Sequence, residues 1–134
     1  MINLRDLIGI PFTNRGRTLD GLDCYGLVME VYKKFDITLP EYNADFDDTE
    51  NITKIIRKQM REDKLWKRLD KPKTPCIVAI RYGVPRPMVN HCGVYIGDRL
   101  FMHTRSKTGA VIEHIDSPMW RNLIVGFYEY RGSK

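Results

Sequence analysis

The sequence predicts an α+β protein, with N-terminal helices packed on a C-terminal antiparallel β-sheet of about five strands. Up to about Leu69, apolar residues recur with the spacing of helices. After the segment Pro72–Pro75, the apolar runs are short, rich in β-branched and aromatic residues, and bounded by turn residues. Helices followed by neighbouring strands favour an antiparallel sheet over alternating β-α-β units. The 134 residues suffice for one hydrophobic core, so we take residues 1–134 as a single domain.

The first strong element is an amphipathic helix that begins at Cys24. It follows a loop at residues 11–22, and its apolar residues recur three, four, seven and eleven positions after the cysteine. Asp23 or Asp20 is suitable to cap its first turn, and the segment Thr38–Pro40 would end it. The cysteine therefore lies at the N-terminal end of the buried face of the helix.

A second helix is predicted within a strongly charged stretch. Residues 41–50 are acidic and residues 54–73 are rich in lysine and arginine, within a formal net charge of +5. Four apolar residues keep a helical stripe among the charges: Ile52, Ile55, Ile56 and Met60. A solvated helix face is the simpler interpretation of the basic stretch. The alternative is attraction to a polyanion, namely a nucleic acid, an anionic cell-wall polymer or an acidic partner protein.

The C-terminal half is predicted to hold the strands. They lie near Ile77–Tyr82, His91–Ile96, Leu100–Thr104, Ala110–Ile115 and Ile124–Tyr130. A glycine and two prolines make residues 81–89 a loop, and residues 107–109 form a turn.

Composition argues against several classes of protein. The first six residues carry charges where a secretion signal needs an apolar run, and no segment approaches the apolar length of a membrane span. We therefore expect neither export by that signal nor a membrane span. The three cysteines, Cys24, Cys76 and Cys92, form no Cys-x-x-Cys pair, which favours reduced thiols over a disulfide framework or a zinc ribbon.

Cys24 is the first candidate for chemistry because of its position at a helix start. The backbone N–H groups of a first helical turn lack intrahelical partners, and together with the helix dipole they favour the thiolate over the thiol. Cys76 and Cys92 are interpreted as small buried apolar residues.

A nucleophilic thiolate needs a base, and the chain has three histidines, His91, His103 and His114. His114 is interpreted as an ordinary strand histidine. His91 and His103 are an even number of positions apart, across a hairpin that turns near Gly97–Arg99. A two-residue turn would place them on opposite faces, whereas a three-residue loop pairs His103 with Gly93 and puts both imidazoles on one face. A catalytic pair requires the three-residue loop.

If that condition holds, Cys24, His91 and His103 form the arrangement that nucleophilic catalysis needs. The thiolate attacks, one imidazole takes and returns the proton, and a third polar group orients that imidazole. Cys92 is then predicted to point away from the site, to the opposite side of the sheet. A metal site built from these four residues is the competing hypothesis, but adjacent strand residues project to opposite faces and cannot easily bind one tetrahedral ion. We expect no metal and no cofactor.

Two blocks of the chain together resemble a known enzyme family. The first is the run Leu22–Val28, Leu-Asp-Cys-Tyr-Gly-Leu-Val, and the second is the run His91–Gly97 followed by Phe101–His103. In their order and in the spacing of the histidines, the blocks resemble the NlpC-type cell-wall cysteine peptidases. The aromatic residue after the cysteine and the upstream Gly9–Phe12 are most similar to the version found in tail proteins of bacteriophages and prophages.

The resemblance implies a papain-like fold and hydrolysis of an amide bond in the peptide stem of peptidoglycan, typically between D-glutamate and a diamino acid. It implies that Cys24 is the nucleophile, His91 the general base and acid, and His103 the orienting residue. Three residues are implied to contact substrate: Asp23, Tyr25 and Phe12. Asp23 matches a position that can hold the free amine of the stem peptide, a role that competes with helix capping.

The chain departs from the family pattern at two places. The first is the usual Gly-Asp-Leu strand before the histidine, which is replaced here by the run Thr74–Val78. The second lies upstream of the cysteine. The family usually has a tyrosine where this chain has Phe12, and the tyrosine hydroxyl helps to stabilise the oxyanion. Without that donor, the oxyanion would depend on backbone N–H groups near Cys24, and losing a donor can cost about a hundredfold in rate. Two alternatives stay open: a structural tail component without turnover, and a thiol acyltransferase or a peptidase with a non-wall substrate.

A wall hydrolase also needs a route to the wall, and the resemblance to tail proteins implies one. The protein would be built into a virion tail tip in the host cytoplasm and would open peptidoglycan during genome entry. Its expected partners are the peptidoglycan stem peptide and other phage tail proteins, and nucleic acid is not an expected partner. The charged stretches 41–50 and 54–73 could dock on complementary tail subunits.

Overall fold

The structure is a computed structural model that describes residues 2–42, 44–45, 48–85 and 88–132. The helical elements are α1 (Cys24–Lys33), α2 (Thr49–Arg57) and a π-helical turn, Lys58–Glu62. The strands are β1 (Arg17–Thr18), β2 (Gly21–Leu22), β3 (Trp66–Leu69), β4 (Cys76–Ile80), β5 (His91–Gly97), β6 (Leu100–Arg105), β7 (Gly109–His114) and β8 (Ile124–Tyr130).

A six-stranded sheet forms the centre of the molecule, in the order β3-β8-β4-β5-β6-β7. All of its neighbouring strands are antiparallel, which confirms the predicted α+β class. The five predicted strands are present, with ends within two residues of those expected. They form because short β-branched and aromatic runs suit the pleated, half-buried surface of a sheet.

The prediction of helical structure up to Leu69 is wrong at its end. Helix α2 ends at Arg57 and the π-helical turn ends at Glu62, after which β3 joins the edge of the sheet beside β8. Trp66 is paired with Tyr130 of β8, and the two ring centroids lie 5.1 Å apart. The strand exists because of this distant partner, which the local helical pattern does not contain. The predicted loop at residues 11–22 likewise contains the short hairpin β1–β2.

Helix α1 begins where the sequence predicts. The Asp23 side chain accepts a hydrogen bond from the Gly26 backbone N–H at 2.7 Å, which satisfies one of the unpaired donors of the first turn. The helix ends at Lys33, earlier than the Thr38–Pro40 segment. Its apolar stripe, Leu27, Val28 and Val31, is buried against one face of the sheet.

Each face of the sheet carries its own core, because side chains alternate along a strand. On the α1 face, Val94 and Met102 belong to the cluster that includes the helix. On the other face, Tyr95 and Phe101 pack with Trp120, which comes from the segment between β7 and β8. Within the described residues, no helix is both long and apolar enough to span a bilayer.

Candidate active site

Cys24 is the first residue of α1 and lies half-buried in an open cleft of about 510 Å³. The cleft is of the size that binds small ligands or peptide segments. Its walls come from several elements and include Phe12, Cys24, Thr49, Tyr82, His91 and Arg105. The helix start therefore delivers the thiol to a cavity that a substrate can enter.

The predicted three-residue loop is wrong, because in the β5–β6 hairpin only two residues lie between the paired Gly97 and Leu100. Its turn has two residues in the left-handed region, Asp98 and Arg99, and the register shifts by a bulge between Tyr95 and Gly97. The extra residue has the effect of the predicted three-residue loop, because it preserves the register that places His103 opposite Gly93.

The two imidazoles consequently lie on the same face. Nε2 of His91 and Nδ1 of His103 are 2.9 Å apart, a hydrogen-bond distance. The predicted same-face arrangement of the pair is confirmed.

The thiol of Cys24 is strongly polarised by its neighbours. A hydrogen bond from the Cys92 side chain, together with the hydrogen bond and charge of His91, outweighs burial and holds the pKa of Cys24 well below its usual range. The same contact and burial raise the pKa of Cys92 well above its usual range. The opposite directions of these two shifts make Cys24 the more acidic thiol of the pair.

The prediction that Cys92 points to the opposite side of the sheet from His91 is confirmed, and Cys92 lines a separate apolar cavity there, but its thiol still interacts with Cys24. Cys92 does lie on the opposite face of β5 from His91, as strand alternation requires. That face, however, is the one covered by α1, whose first residue is Cys24. The thiol of Cys24 lies beside the end of β5, where it is close to residues on both faces of the sheet, His91 on one and Cys92 on the other.

Glu113 on β7 completes a chain of polar contacts that sequence reasoning missed. The buried ring of His103 forms a hydrogen bond through Nε2 to a carboxylate oxygen of Glu113. Burial raises the pKa of Glu113, but the hydrogen bond with His103 and the charges of His103 and Arg105 together lower it below its usual value. Burial also lowers the pKa of His103 to about 4, so this imidazole is neutral near pH 7.

These contacts determine which nitrogens carry protons. A carboxylate only accepts hydrogen bonds, so Nε2 of neutral His103 carries its proton and Nδ1 is an acceptor. Nε2 of His91 must then donate to His103, which leaves Nδ1 of His91 for the bond with Cys24. This is the tautomer in which His91 can take a proton from a thiol.

Register could have identified Glu113 from the sequence. In the β6–β7 hairpin, Phe101 pairs with Glu113 and His103 with Val111, so Glu113 is diagonal to His103 on one face. Trp120 was also missed, and its ring lies 4.7 Å from that of His103 and 6.1 Å from that of His91. It lies in a segment without strand periodicity, where no local pattern indicates burial.

The three predicted substrate contacts lie in different surroundings. Phe12 lines the cleft. Asp23 is buried, caps α1 and pairs with Arg17 at 2.6 Å, and burial raises its pKa despite these partners. Tyr25 lies in the core beside a separate apolar cavity, and its hydroxyl donates to the backbone carbonyl of Pro40. Their roles toward substrate stay predictions.

The remaining candidates behave as their types suggest. Cys76 is fully buried, as predicted, and burial raises its pKa to about 11. His114 is exposed at the end of β7. In the part of the chain that the structure describes, no three His, Cys, Asp or Glu side chains are arranged to hold a metal ion.

Comparison with known sequences places this geometry in a family context. The model of the NlpC/P60 family matches residues 9–129. The murein DD-endopeptidase MepS/murein LD-carboxypeptidase of Escherichia coli K12 is 26% identical over 117 residues, which is 87% of this chain and 53% of that protein. The protein of the same name from Escherichia coli O157:H7 is similar to the same extent. The chain thus spans about half the length of the curated relatives it matches.

Solved structures show the same fold. A crystal structure of an NlpC/P60 family protein from Bacillus cereus ATCC 10987 has a TM-score of 0.67 at 21% identity, over 94% of this chain and 37% of that one. A protein from Staphylococcus aureus Mu50, described as similar to a lipoprotein of the NLP/P60 family, has a TM-score of 0.62 at 18% identity, over 95% and 38%. At these identities the likeness establishes the papain-like α+β fold alone.

Proposed function

Since this chain belongs to the NlpC/P60 family, we propose that it is a cysteine peptidase that cleaves an amide bond in the peptide stem of peptidoglycan. The observation that carries the proposal is the geometry of one open cleft, which holds Cys24 at the start of α1 together with His91, whose Nε2 lies 2.9 Å from Nδ1 of His103. The name of the Escherichia coli relative, a murein endopeptidase, supports peptidoglycan as the substrate.

The contacts support a two-step mechanism. The thiolate of Cys24 attacks the carbonyl carbon, and backbone N–H groups at the start of α1 stabilise the oxyanion. His91, protonated at Nδ1, gives that proton to the leaving amine as the C–N bond breaks and a thioester forms. It then takes a proton from water, whose oxygen attacks the thioester, and returns that proton to the sulfur as the acid is released. Throughout, Nδ1 of neutral His103 accepts a hydrogen bond from Nε2–H of His91, and Glu113 holds His103 in the tautomer that this requires.

The scissile bond that we propose joins D-glutamate to a diamino acid. The support is the resemblance of the Cys24 block, including Asp23, to family members that hold the free amine of the stem peptide. Oδ1 of Asp23 accepts both the capping hydrogen bond from Gly26 and the hydrogen bond from Arg17. Capping of α1 is therefore compatible with binding of the substrate amine by the other carboxylate oxygen.

Purified sacculi provide the direct test. Wild-type protein should release soluble muropeptides, identified by chromatography and mass spectrometry, whose new amine ends locate the cleaved bond. Cys24→Ala should release none while keeping the thermal stability of the wild type, because a residue at a helix start loses little packing when shortened. Release by Cys24→Ala would overturn the proposal. Correctly folded wild-type protein that releases nothing would favour the structural alternative, in which Phe12 marks a site without turnover.

We further propose that the protein is carried on a phage tail tip and opens the wall during genome entry. The support is the similarity of the Gly9–Phe12 and Cys24 blocks to phage and prophage tail proteins. Mass spectrometry of purified particles tests this directly. Particles that lack the chain, with free protein in the host cytoplasm, would indicate a lysis enzyme or an unrelated hydrolase.

A further inference from the structure

One wall of the cleft has an electrostatic character that the proposed mechanism does not use. The wall is formed by the end of β6 and the turn after it, where Thr104, Arg105 and Lys107 line the same cavity as Cys24 and His91. Among the described residues that line the cleft, none is a carboxylate. Apart from the nucleophile and its base, the charged side chains of this lining are Arg105 and Lys107, and both are cationic.

Arg105 is held in place by aromatic rings. Its guanidinium carbon lies 5.2 Å from the ring centroid of Trp120 and 5.9 Å from that of Tyr82, within the range of cation–π contacts. Trp120 also packs on His103, which ties the guanidinium to the histidine pair. Nη1 of Arg105 donates a hydrogen bond to the Tyr82 hydroxyl at 3.4 Å.

Two polar atoms of this wall are buried without partners. Within the described residues, neither Nε of Arg105 nor Oγ1 of Thr104 has a hydrogen-bond partner, and Thr104 is 1% exposed. Thr104 projects to the opposite face of β6 from Arg105. Buried polar atoms are nearly always hydrogen-bonded in folded proteins, so the unpartnered Nε of Arg105 calls for an explanation. The nearby carboxylate, Glu113, is engaged by His103 and forms no ion pair with Arg105 within 4.0 Å.

We propose that Arg105 and Lys107 form a subsite for a carboxylate of the substrate. A guanidinium presents planar, paired donors that match a carboxylate. Lys107, exposed in the turn, adds attraction at the entrance. The subsite rests on the proposed function, since it specifies which stem peptides the enzyme prefers: those in which the carboxylate beside the scissile bond is free, and not those in which it is a carboxamide.

A matched pair of substrates tests the subsite. Two stem-peptide fragments are synthesised that differ only in the D-glutamate α-carboxyl group, free in one and a carboxamide in the other. The readout is the ratio of their kcat/KM values, which a general structural defect would not change. Wild type should favour the free acid by about tenfold, the effect of one charge-assisted contact. Arg105→Gln should bring the ratio close to one, and Lys107→Gln should reduce it less.

Two further variants keep the result interpretable. Arg105→Lys retains the charge without the planar fork and should keep part of the preference. Arg121→Gln removes an exposed cation that does not line the cleft and should keep the wild-type ratio. A wild-type ratio near one, or an Arg105→Gln ratio equal to that of wild type, would overturn the subsite while leaving the peptidase activity intact.

Binding separates failure of the subsite from failure of the proposed function. If wild type cleaves neither fragment, the Cys24→Ala variant is titrated with both fragments by calorimetry, with and without Arg105→Gln. Tighter binding of the free acid that Arg105→Gln abolishes would support the subsite, although the proposed reaction would have failed. Equal binding of acid and carboxamide would refute the subsite.

Discussion

Removal of the Cys92 thiol should raise the pKa of Cys24. In the structure, the hydrogen bond from Cys92 is the largest contribution that lowers the pKa of Cys24, ahead of the hydrogen bond and charge of His91. In Cys92→Ala this donor is lost, and His91 keeps its place at the start of β5. The thiolate is then less stabilised, so its pKa rises toward the usual value without reaching it.

The size of the shift follows from the energy of one hydrogen bond. A hydrogen bond to a charged group contributes about 1.5–3 kcal/mol, and a thiol is a weak donor, so the lower end applies. One pKa unit corresponds to about 1.36 kcal/mol. Cys92→Ala should therefore raise the pKa of Cys24 by about one unit. Cys92→Ser replaces the thiol donor with a hydroxyl donor, so the pKa of Cys24 in this variant should stay close to that of the wild type.

Alkylation kinetics measure this pKa directly. The rate of iodoacetamide labelling is followed as a function of pH, with the modified peptide identified by mass spectrometry so that only Cys24 is counted. Its midpoint should move up by about one unit in Cys92→Ala, and the acid limb of the activity profile should move with it. Cys76→Ala is the matched control, because Cys76 lies in the core on the other face of the sheet. An unchanged midpoint in Cys92→Ala, or an equal shift in Cys76→Ala, would refute the reasoning.

The other predictions concern the histidines and Glu113. His91→Ala should lose nearly all activity and raise the pKa of Cys24. His103→Asn should keep part of the activity, because an amide oxygen can accept the hydrogen bond from the imidazole N–H of His91. His114→Ala is the exposed control, and damage equal to that of His91→Ala would show that the histidines have been assigned wrongly. Glu113→Ala leaves the buried Nε2–H of His103 without its acceptor, so kcat should fall about 10- to 100-fold with little change in KM. In Glu113→Gln the fall in kcat should be smaller. Because the pKa of His103 is lowered to about 4 from an unfolded value of 6.5, the unfolded state binds more protons between these values, and stability should fall as pH drops through this window. Urea unfolding at several pH values measures this loss, of up to about 3 kcal/mol, which should be smaller in His103→Asn; an equal loss in the variant would contradict it.

Local patterns in the sequence determined the placement of the chemistry. Helical periodicity located Cys24 at the start of α1, because the spacing of buried residues and a capping aspartate are both encoded within a dozen residues. Strand parity showed that the register of the hairpin decides whether His91 and His103 share a face, because side chains alternate along a strand, but the two-residue turn with a bulge that sets this register was not predicted. Five of the six strands of the main sheet followed from their own composition.

Tertiary structure alone decided what each face of the sheet meets. Parity placed Cys92 opposite His91, but only the packing of α1 on that face brings its thiol to Cys24. Strand β3 forms because β8 offers an edge, although its own residues continue a basic helical stretch. Such outcomes depend on contacts between segments distant in sequence. Period and parity specify which side chains share a face, and they contain no information on which element covers it.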